Sequence, residues 1–326
     1  MKFREFSDVG WKVSEVGLGC WAIGSEWGDV SKEDATEVLK SSLDHGINFF
    51  DTADVYGDGR SERFVGELLK STNEKIYVAT KSGRRLNPHT SKGYNLKNIE
   101  SFIDRSLINL GVDCIDLLQL HCPPSDVCSK KETYEMMDEI VKKGKISYYG
   151  VSVEKVSEAM DAIQFPNVKS IQIIFNMFRQ KPAEEFFQEA AKKNVAIIAR
   201  VPLASGLLTG KMTESSSFPA NDHRNYNIKG EAFDVGETFS GVNFDKGLQA
   251  VEEIKKLIPN NFSLTDLALK WILMHQEITV AIPGAKKNHQ LSKNVNAVHL
   301  DDISSLMPLI KDVYSQYLKE DIHHRW

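Results

Sequence analysis

The stretch Asp51-Thr52-Ala53-Asp54-Val55-Tyr56-Gly57 decides the fold of this chain. It follows a short apolar run at 47–50, which predicts a buried strand, and it leads into polar residues and glycines, which predict a loop. The carboxylate of Asp51 therefore stands at the end of a strand, and the phenol of Tyr56 stands in the loop that follows.

Two later strands end in the same way. The apolar segment at 76–80 runs into Lys81, and the segment at 115–120 runs into His121. In a barrel of parallel strands, the carboxyl ends of all strands converge on one face. An acid, a phenol, an amine and an imidazole that lie far apart in the sequence are therefore expected to meet in one site.

Strand and helix patterns alternate along the chain. Eight strand candidates begin at 16, 47, 76, 115, 146, 170, 195 and 279, and helical patterns separate nearly all of them. These spacings fit βαβ crossovers, whose strands lie parallel. We therefore predict one domain, 1–326, folded as a (β/α)8 TIM barrel. It has an N-terminal hairpin at Asp8-Val9-Gly10, a long loop after strand seven at 205–244, and a C-terminal helix at 301–319.

The alternative fold is a doubly wound sheet with a dinucleotide fingerprint. Gly17-Leu18-Gly19 begins such a fingerprint, but the third glycine would fall at position 22, which is Ala22. The segment after it, 21–30, predicts a loop with two tryptophans and not the start of a helix. The barrel is therefore the favoured fold.

Composition limits the classes of function. The 326 residues are 41% hydrophobic and 26% charged, which is typical of a soluble globular chain. The net charge of −5 and the lack of a basic block argue against a nucleic-acid partner. The N-terminus has no signal-peptide pattern, and no apolar run reaches the roughly 18 residues that predict a membrane span. We therefore predict a cytoplasmic protein without a membrane partner.

The cysteines and histidines do not predict a metal site. The four cysteines have no close paired spacing, and the nine histidines show no H-E-x-x-H pattern. A chain of this size needs no disulfide staples. We therefore expect no bound metal, and we expect Cys122, which adjoins His121, to be a packed, reduced thiol.

The acid, phenol, amine and imidazole suit proton transfer to a carbonyl oxygen. A phenol with a pKa near 10 keeps its proton at neutral pH and can act as a general acid, and a nearby lysine lowers that pKa. A carboxylate would hold the lysine in place, and an imidazole can orient a carbonyl by donating a hydrogen bond. Because no side chain delivers hydride, this chemistry requires a nicotinamide cofactor.

These motifs resemble the aldo-keto reductase superfamily, and the resemblance covers essentially the whole chain. The three matching segments are Asp51 to Gly57, Ala79-Thr80-Lys81, and Asp116 to His121. By this resemblance, Tyr56 is the general acid and base, and Lys81 lowers its pKa. Asp51 anchors the lysine, and His121 orients the carbonyl.

Other segments resemble the cofactor-binding parts of the same superfamily. Gly150-Val151-Ser152 and Gln172 resemble the carboxamide contacts, 201–211 resembles the pyrophosphate clasp, and 282–294 resembles the adenosine-phosphate segment. Two lysines at a helix N-terminus favour an extra phosphate, and therefore NADPH over NADH. The residues assigned in this way are Ser152, Gln172, Pro202, Leu203, Ser205, Gly206, Leu208, Lys211, Gly284, Lys286, Lys287, Gln290 and Asn294, with Arg224 as a further candidate.

Two positions depart from the family pattern. Val153 replaces an asparagine, so one carboxamide contact is missing or is made elsewhere. Arg200 stands where a nicotinamide-stacking aromatic is often found, and it is assigned to the cofactor site. Because a cation stacks poorly on an oxidised nicotinamide, Arg200 could also point elsewhere or contact substrate. Trp21 and Trp27 either line a substrate pocket or pack against the barrel.

The predicted function is NADPH-dependent reduction of aldehydes or ketones to alcohols, with a small carbonyl compound as substrate. The alternative is an NADPH-binding regulatory subunit, because 202–211 resembles the corresponding segment of potassium-channel β-subunits. A metal-dependent hydrolase would need clustered ligands, and only His121 and Asp51 are available. No motif fixes the substrate or the oligomeric state.

Overall fold

A small antiparallel hairpin precedes the barrel. Residues 1–24, 27–260 and 262–326 are described by a computed structural model of the chain. In it, β1 (Phe3–Phe6) pairs with β2 (Trp11–Ser14). The Trp11 ring stacks on Tyr77 at a centroid distance of 4.5 Å, so the hairpin packs against the inside of the barrel at the end opposite the site. The predicted hairpin is confirmed.

Eight parallel strands form the barrel within the described part of the chain. They pair in sequence order, and parallel bridges join Val16 to Ala281 and Gly19 to Gly284, so the first and last strands close the ring. The strands are β3 (Leu18–Gly19), β4 (Phe49–Asp51), β5 (Tyr77–Ser82), β6 (Ile115–His121), β7 (Ile146–Ser152), β8 (Val168–Ile174), β9 (Ala196–Arg200) and β10 (Ile278–Ala281). The predicted (β/α)8 barrel is confirmed.

The helices lie outside the strands and bury their apolar faces against them. In α4, for example, Ile99, Ile103 and Leu110 are buried, and each such side chain contributes roughly 1.5–3 kcal/mol. The helices are α1 (Trp21–Gly24), α2 (Lys32–Asp44), α3 (Arg60–Ser71), α4 (Leu96–Leu110), α5 (Ser125–Cys128), α6 (Lys131–Lys142), α7 (Val156–Ala162), α8 (Phe186–Lys192), α9 (His223–Tyr226), α10 (Phe244–Lys255), α11 (Leu264–Leu273), α12 (Asn288–Asn296), α13 (Met307–Tyr317) and α14 (Lys319–Ile322).

Helix ends follow the capping signals in the sequence. The Ser31 hydroxyl accepts a hydrogen bond from the Asp34 backbone N–H at 3.0 Å, which starts α2. Gly111 ends α4 with φ of +67°, a conformation that glycine adopts without strain. These local signals explain why the strand and helix order could be predicted.

Three segments differ from the prediction. Trp21–Gly24 forms a short helix where a loop was predicted. The segment after the long loop, for which no element was predicted, forms α10, which begins after the Asn243 cap. The last long helix begins at Met307 and not at 301, because a 3₁₀ turn at Ser304–Leu306 precedes it and Pro308 suits a first helical turn.

None of the described helices is both long enough and apolar enough to span a bilayer. The assignment of the whole chain to one domain and the cytoplasmic location stay predictions.

Candidate active site

The acid, phenol, amine and imidazole predicted from the sequence meet at the carboxyl end of the barrel. Asp51 ends β4, Lys81 lies near the end of β5, and His121 ends β6. The Lys81 Nζ lies 2.5 Å from Asp51 Oδ1 and 3.3 Å from the Tyr56 hydroxyl. The rings of Tyr56 and His121 meet edge to face, with centroids 5.9 Å apart. The four side chains therefore form one cluster.

Two glycines bring the Tyr56 backbone close to α1. Gly57 has a φ of +59°, and a Cβ built on it would lie 2.5 Å from the Gly24 carbonyl oxygen. A Cβ on Gly24 would lie 2.9 Å from the Cβ of Tyr56. The Trp21 ring stacks on the phenol ring with centroids 5.9 Å apart. The loop after β4 is thus held against the short helix after β3.

Both oxygens of Asp51 are engaged. Oδ1 accepts from Lys81, while Oδ2 accepts from Gln119 Nε2 at 3.1 Å and from Gln172 Nε2 at 2.7 Å. Gln119 was not predicted, although it lies two residues before His121 on β6 and therefore points to the same side of the sheet. Gln172, which was predicted to help hold the cofactor carboxamide, lines the cleft, and its amide nitrogen donates to Asp51.

Burial sets the protonation of the phenol and the imidazole. Burial and the negative charge of Asp51 raise the pKa of Tyr56 well above 10, so the expected lowering by Lys81 is not the net result. Burial and the positive charges of Arg84 and Lys81 hold the pKa of His121 well below its usual range. At neutral pH the phenol therefore keeps its proton and the imidazole is neutral.

The imidazole tautomer follows from its surroundings. His121 Nδ1 is buried and has no hydrogen-bond partner among the described residues. A neutral imidazole carries one proton, and a buried Nδ1–H without an acceptor would be costly. We therefore infer that the proton is on Nε2.

A cleft of about 500 Å³ runs from this cluster to the helix after β10. It contains most of the predicted site residues. Those that line it are Trp21, Trp27, Asp51, Tyr56, His121, Ser152, Gln172, Arg200, Pro202, Leu203, Ser205, Gly206, Lys211, Arg224, Gly284, Lys286, Gln290 and Asn294. Lys81 is fully buried behind Asp51 and Tyr56.

Arg200 belongs to a largely buried group that we call the four-charge cluster: Arg84, Glu154, Arg200 and Glu237. Arg200 lies 3.0 Å from an oxygen of each glutamate, and Arg84 lies 3.1 Å from Glu154 and 2.5 Å from Glu237. Arg200 also donates to the backbone oxygen of Val153 at 3.0 Å. The two positions that depart from the family pattern are therefore in contact.

The two glutamates of the cluster differ in how readily they ionise, and burial raises the pKa of the Glu154 carboxyl. Burial opposes ionisation of Glu237, but the positive charges of Arg200 and Arg84 outweigh it and lower the pKa of that carboxyl. Burial raises the pKa of the adjacent Cys122 thiol to about 12, so this cysteine is a packed thiol and not a reactive thiolate. The guanidinium groups already occupy both carboxylates, so the cluster is not arranged to hold a cation.

Comparison with known proteins decides the family. The sequence profile of the Aldo/keto reductase family matches residues 15–307. The chain belongs to the aldo/keto reductase family.

Relatives and solved structures agree along almost the full length. Aldo-keto reductase YhdN of Bacillus subtilis is 33% identical over 298 residues, which is 89% of this chain and 87% of that protein. Aldo-keto reductase yakc [NADP(+)] of Schizosaccharomyces pombe is 30% identical, over 88% and 84% of the two chains. The structure of a glycerol dehydrogenase from Gluconobacter oxydans is 28% identical with a TM-score of 0.79, over 97% and 96%.

The chain is also similar to a protein of another kind. The probable voltage-gated potassium channel subunit beta of Arabidopsis thaliana is 28% identical over 98% of this chain and 97% of that protein. This aldo/keto reductase is therefore similar both to enzymes and to proteins named as channel subunits.

Two predicted cofactor residues of this aldo/keto reductase lie outside the cleft in the described structure. Leu208 is fully buried in the hydrophobic core. Lys287 turns away and its Nζ lies 2.6 Å from Asp34 Oδ2. Although the backbone N–H groups of Lys286 and Lys287 both bond to Gln290 Oε1, only Lys286 points into the cleft.

Several cleft residues were not predicted. His289 and Lys293 line the cleft four residues apart on α12, on the face next to Gln290 and Asn294. The helical period alone could have identified them. Glu237, which also lines the cleft, comes from the long loop, where no periodic pattern exists.

The loop after β9 crosses the cleft to meet the loop after β3. Asp222 forms an antiparallel bridge with Trp27, and Lys286 Nζ donates to the Trp27 carbonyl oxygen at 2.7 Å. The Arg224 guanidinium pairs with Asp222 at 2.6 Å and lies 5.0 Å from the Trp27 ring centroid. Trp27 therefore both lines the cleft and joins the two loops over it.

The cleft residues fit a dinucleotide. Ala204, Ser205 and Gly206 have φ of +46°, +53° and +100°, a left-handed run that can turn backbone N–H groups toward an anion. Lys211 and Lys286 add positive charge along the same cleft. Small residues, charge and backbone donors thus occur where phosphates would need them.

Proposed function

We propose that this protein reduces aldehydes or ketones to alcohols with NADPH. The observation that carries the proposal is the Tyr56 hydroxyl, which lines the cleft, keeps its proton and lies 3.3 Å from the buried Lys81 ammonium. A protonated phenol beside a fixed cation is suited to give a proton to a carbonyl oxygen.

Each cluster residue has one role in this reaction. When bound, the nicotinamide cofactor supplies the hydride that the carbonyl carbon accepts. Tyr56 donates its proton to the carbonyl oxygen, and the Lys81 ammonium stabilises the phenolate that remains. Asp51 holds that ammonium with support from Gln119 and Gln172.

His121 orients the substrate. Because its imidazole is neutral, it does not compete with Tyr56 as an acid, and in the tautomer with the proton on Nε2 it donates a hydrogen bond to the carbonyl oxygen. One proton from Tyr56 and one hydride complete the alcohol. The proton is then restored to Tyr56 from solvent.

The preference for NADPH is supported by the basic end of the cleft. Lys286, His289 and Lys293 lie together there and can hold an extra phosphate. Ser152 and Gln172 lie at the other end, near Tyr56, where the nicotinamide would be held. The name of the Schizosaccharomyces pombe relative, which includes NADP(+), agrees with this assignment.

A regulatory NADPH-binding subunit is the second candidate, because a relative named as a potassium channel subunit is similar over nearly the whole chain. The complete proton-transfer cluster favours the enzyme, since binding alone does not require it. Sustained NADPH oxidation on carbonyl substrates separates the two.

The test compares the wild type with Tyr56→Phe and the control Tyr148→Phe, which removes a hydroxyl at the hairpin end of the barrel. NADPH affinity is measured by fluorescence titration, and turnover by NADPH oxidation on a panel of aldehydes. We expect Tyr56→Phe to keep NADPH affinity and to lose turnover by roughly 10²–10⁴-fold. We expect Tyr148→Phe to match the wild type.

Near-normal turnover of Tyr56→Phe would refute the acid assignment. Tight NADPH binding by the wild type without turnover on any carbonyl would favour the regulatory subunit. An absence of NADPH binding would refute both.

A further inference from the structure

Trp326, which follows α14, packs against part of the loop after β9. Only 6% of its surface is exposed. The indole N–H donates to Asp234 Oδ1 at 3.2 Å. A Cβ built on Gly241 would overlap the six-membered ring of the indole, and a Cβ built on Gly236 would lie 3.0 Å from that ring. The segment at 234–241 therefore forms a socket, in which two glycines leave room for the indole.

A buried arginine contacts the same ring. The guanidinium carbon of Arg179 lies 3.9 Å from the centroid of the Trp326 ring, which is a close cation–π contact. The Nη2 of Arg179 also donates to the Glu154 backbone oxygen at 2.5 Å, just after the end of β7. Through Trp326 and Arg179, the segment at 234–241 is thus joined to the barrel.

The same segment holds Ser205, which lines the cleft, at two points. The Ser205 hydroxyl donates to the Glu237 carbonyl oxygen at 3.1 Å and accepts from the Phe239 backbone N–H at 3.0 Å. Ser205 belongs to the left-handed run at the cleft, and its φ of +53° is unfavourable for a residue with a side chain. Such a conformation persists only where the surrounding structure fixes it. The two hydrogen bonds to the segment at 234–241 supply that support.

We propose that Trp326 is a positioning residue for NADPH binding: it fixes the segment at 234–241 and, through it, the backbone of Ser205. Trp326 is not among the residues found to line the cleft, so its effect passes through this segment. Without the indole the socket becomes a cavity and the segment gains freedom, and NADPH binding must then order it again. The inference rests on the proposed function, because it assigns the phosphates of NADPH to the left-handed run at 204–206.

The experiment compares Trp326→Ala with the control Trp11→Ala. Both tryptophans are buried and packed on another side chain, but Trp11 stacks on Tyr77 at the opposite end of the barrel. Fluorescence gives the NADPH affinity and its dissociation rate, NADPH oxidation on an aldehyde gives kcat, and thermal denaturation monitors the fold. Trp11→Ala shows what the loss of a buried indole does to the fold alone.

We expect Trp326→Ala to weaken NADPH binding by about tenfold, mainly through faster dissociation. We expect kcat at saturating NADPH to stay close to that of the wild type, because the proton-transfer residues lie outside the segment at 234–241. Trp11→Ala should lower the melting temperature but keep NADPH affinity within about twofold of the wild type. Trp326→Phe, which keeps a ring against Arg179, should keep NADPH affinity within about threefold.

A double variant tests the route through Ser205. Ser205→Ala removes the hydroxyl that joins the left-handed run to the segment at 234–241. In that background, we expect Trp326→Ala to weaken NADPH binding by about twofold or less, because coupled positions do not add. An equal loss in both backgrounds would show that the two positions act independently and would overturn the proposal.

The proposal is also overturned if Trp326→Ala binds NADPH as tightly as the wild type, if Trp11→Ala weakens binding equally, or if Trp326→Phe binds as weakly as Trp326→Ala. A wild type that binds NADPH but reduces no carbonyl refutes the proposed function alone, since the titrations still decide the role of Trp326. A wild type that binds no NADPH refutes both.

Discussion

Two groups of buried charges lie at the carboxyl end of the barrel, and they differ in how they are built. The Asp51–Lys81 pair comes from neighbouring strands and touches the phenol directly. The four-charge cluster comes from four separate segments and forms the wall beside it. In both, each charge has a partner of opposite sign, as the cost of removing ions from water requires. In the proposed reaction the pair serves the proton transfer, while Arg200 and Glu237 of the cluster line the cleft.

Breaking the pair should have the largest effect. Lys81→Met leaves Asp51 charged and buried without its cation, and it removes the group that stabilises the phenolate. We expect the free energy of unfolding to fall by about 3–5 kcal/mol and turnover to fall by roughly 10³-fold. Urea denaturation and NADPH oxidation measure the two quantities.

A double variant separates these two losses. Asp51→Asn combined with Lys81→Met removes both charges, so we expect most of the stability to return while turnover stays lost. A double variant as unstable as Lys81→Met would show that ion pairing does not account for the instability.

Asp54 shows what a buried carboxyl does without a partner. Neither of its oxygens has a hydrogen-bond partner within the described residues, and burial and the charge of Glu62 raise its pKa to about 8. Because the folded state holds this proton more tightly than the unfolded state, its contribution to stability is complete below about pH 4 and is lost as the pH rises through about 8.

The matching experiment compares the wild type with Asp54→Asn across that range. We expect the wild type to lose roughly 4–5 kcal/mol of unfolding free energy relative to the variant between pH 4 and pH 8. Parallel stability curves for the two proteins would mean that Asp54 ionises normally in the fold.

Breaking the four-charge cluster should cost less than breaking the pair. In Glu237→Gln, both arginines keep Glu154 as a partner, and the amide oxygen can still accept one hydrogen bond. We expect a loss of about 1–3 kcal/mol in unfolding free energy, measured in urea. The control is Glu253→Gln, which breaks an exposed pair with Lys256 and should cause no measurable change. A loss equal to that of Lys81→Met would remove the distinction between the two groups.

The smallest expected effect concerns two adjacent lysines. Lys286→Met should weaken NADPH binding by about tenfold and leave NADH binding nearly unchanged, because Lys286 lies in the cleft. Lys287→Met should change neither affinity, because that side chain pairs with Asp34. Fluorescence titrations with both cofactors test this. Equal weakening by the two variants would place Lys287 at the phosphate after all.

The sequence predicted the Asp51–Lys81 pair and its surroundings but not the four-charge cluster. Asp51, Tyr56, Lys81 and His121 stand in local motifs at strand ends, and the barrel topology brings strand ends together. The alternation of strands and capped helices therefore predicted both the fold and this cluster.

The parts of the site that could not be predicted depend on side-chain directions and on contacts between distant segments. Sequence could not show that Lys286 turns into the cleft while Lys287 turns to Asp34. It could not show that Glu237, from a long loop, meets Arg84 and Arg200, because no local pattern links these positions.

The two glycines beside Tyr56 have a consequence for mutational screens. Gly24 and Gly57 are not among the residues found to line the cleft, and neither has a side chain that could react. Even one added methyl group at either position would press on the backbone that carries the phenol or faces it. A library selected for activity would therefore reject substitutions at both positions as strongly as at a catalytic residue. Loss of function at these two positions would then report steric crowding and not a role in the reaction.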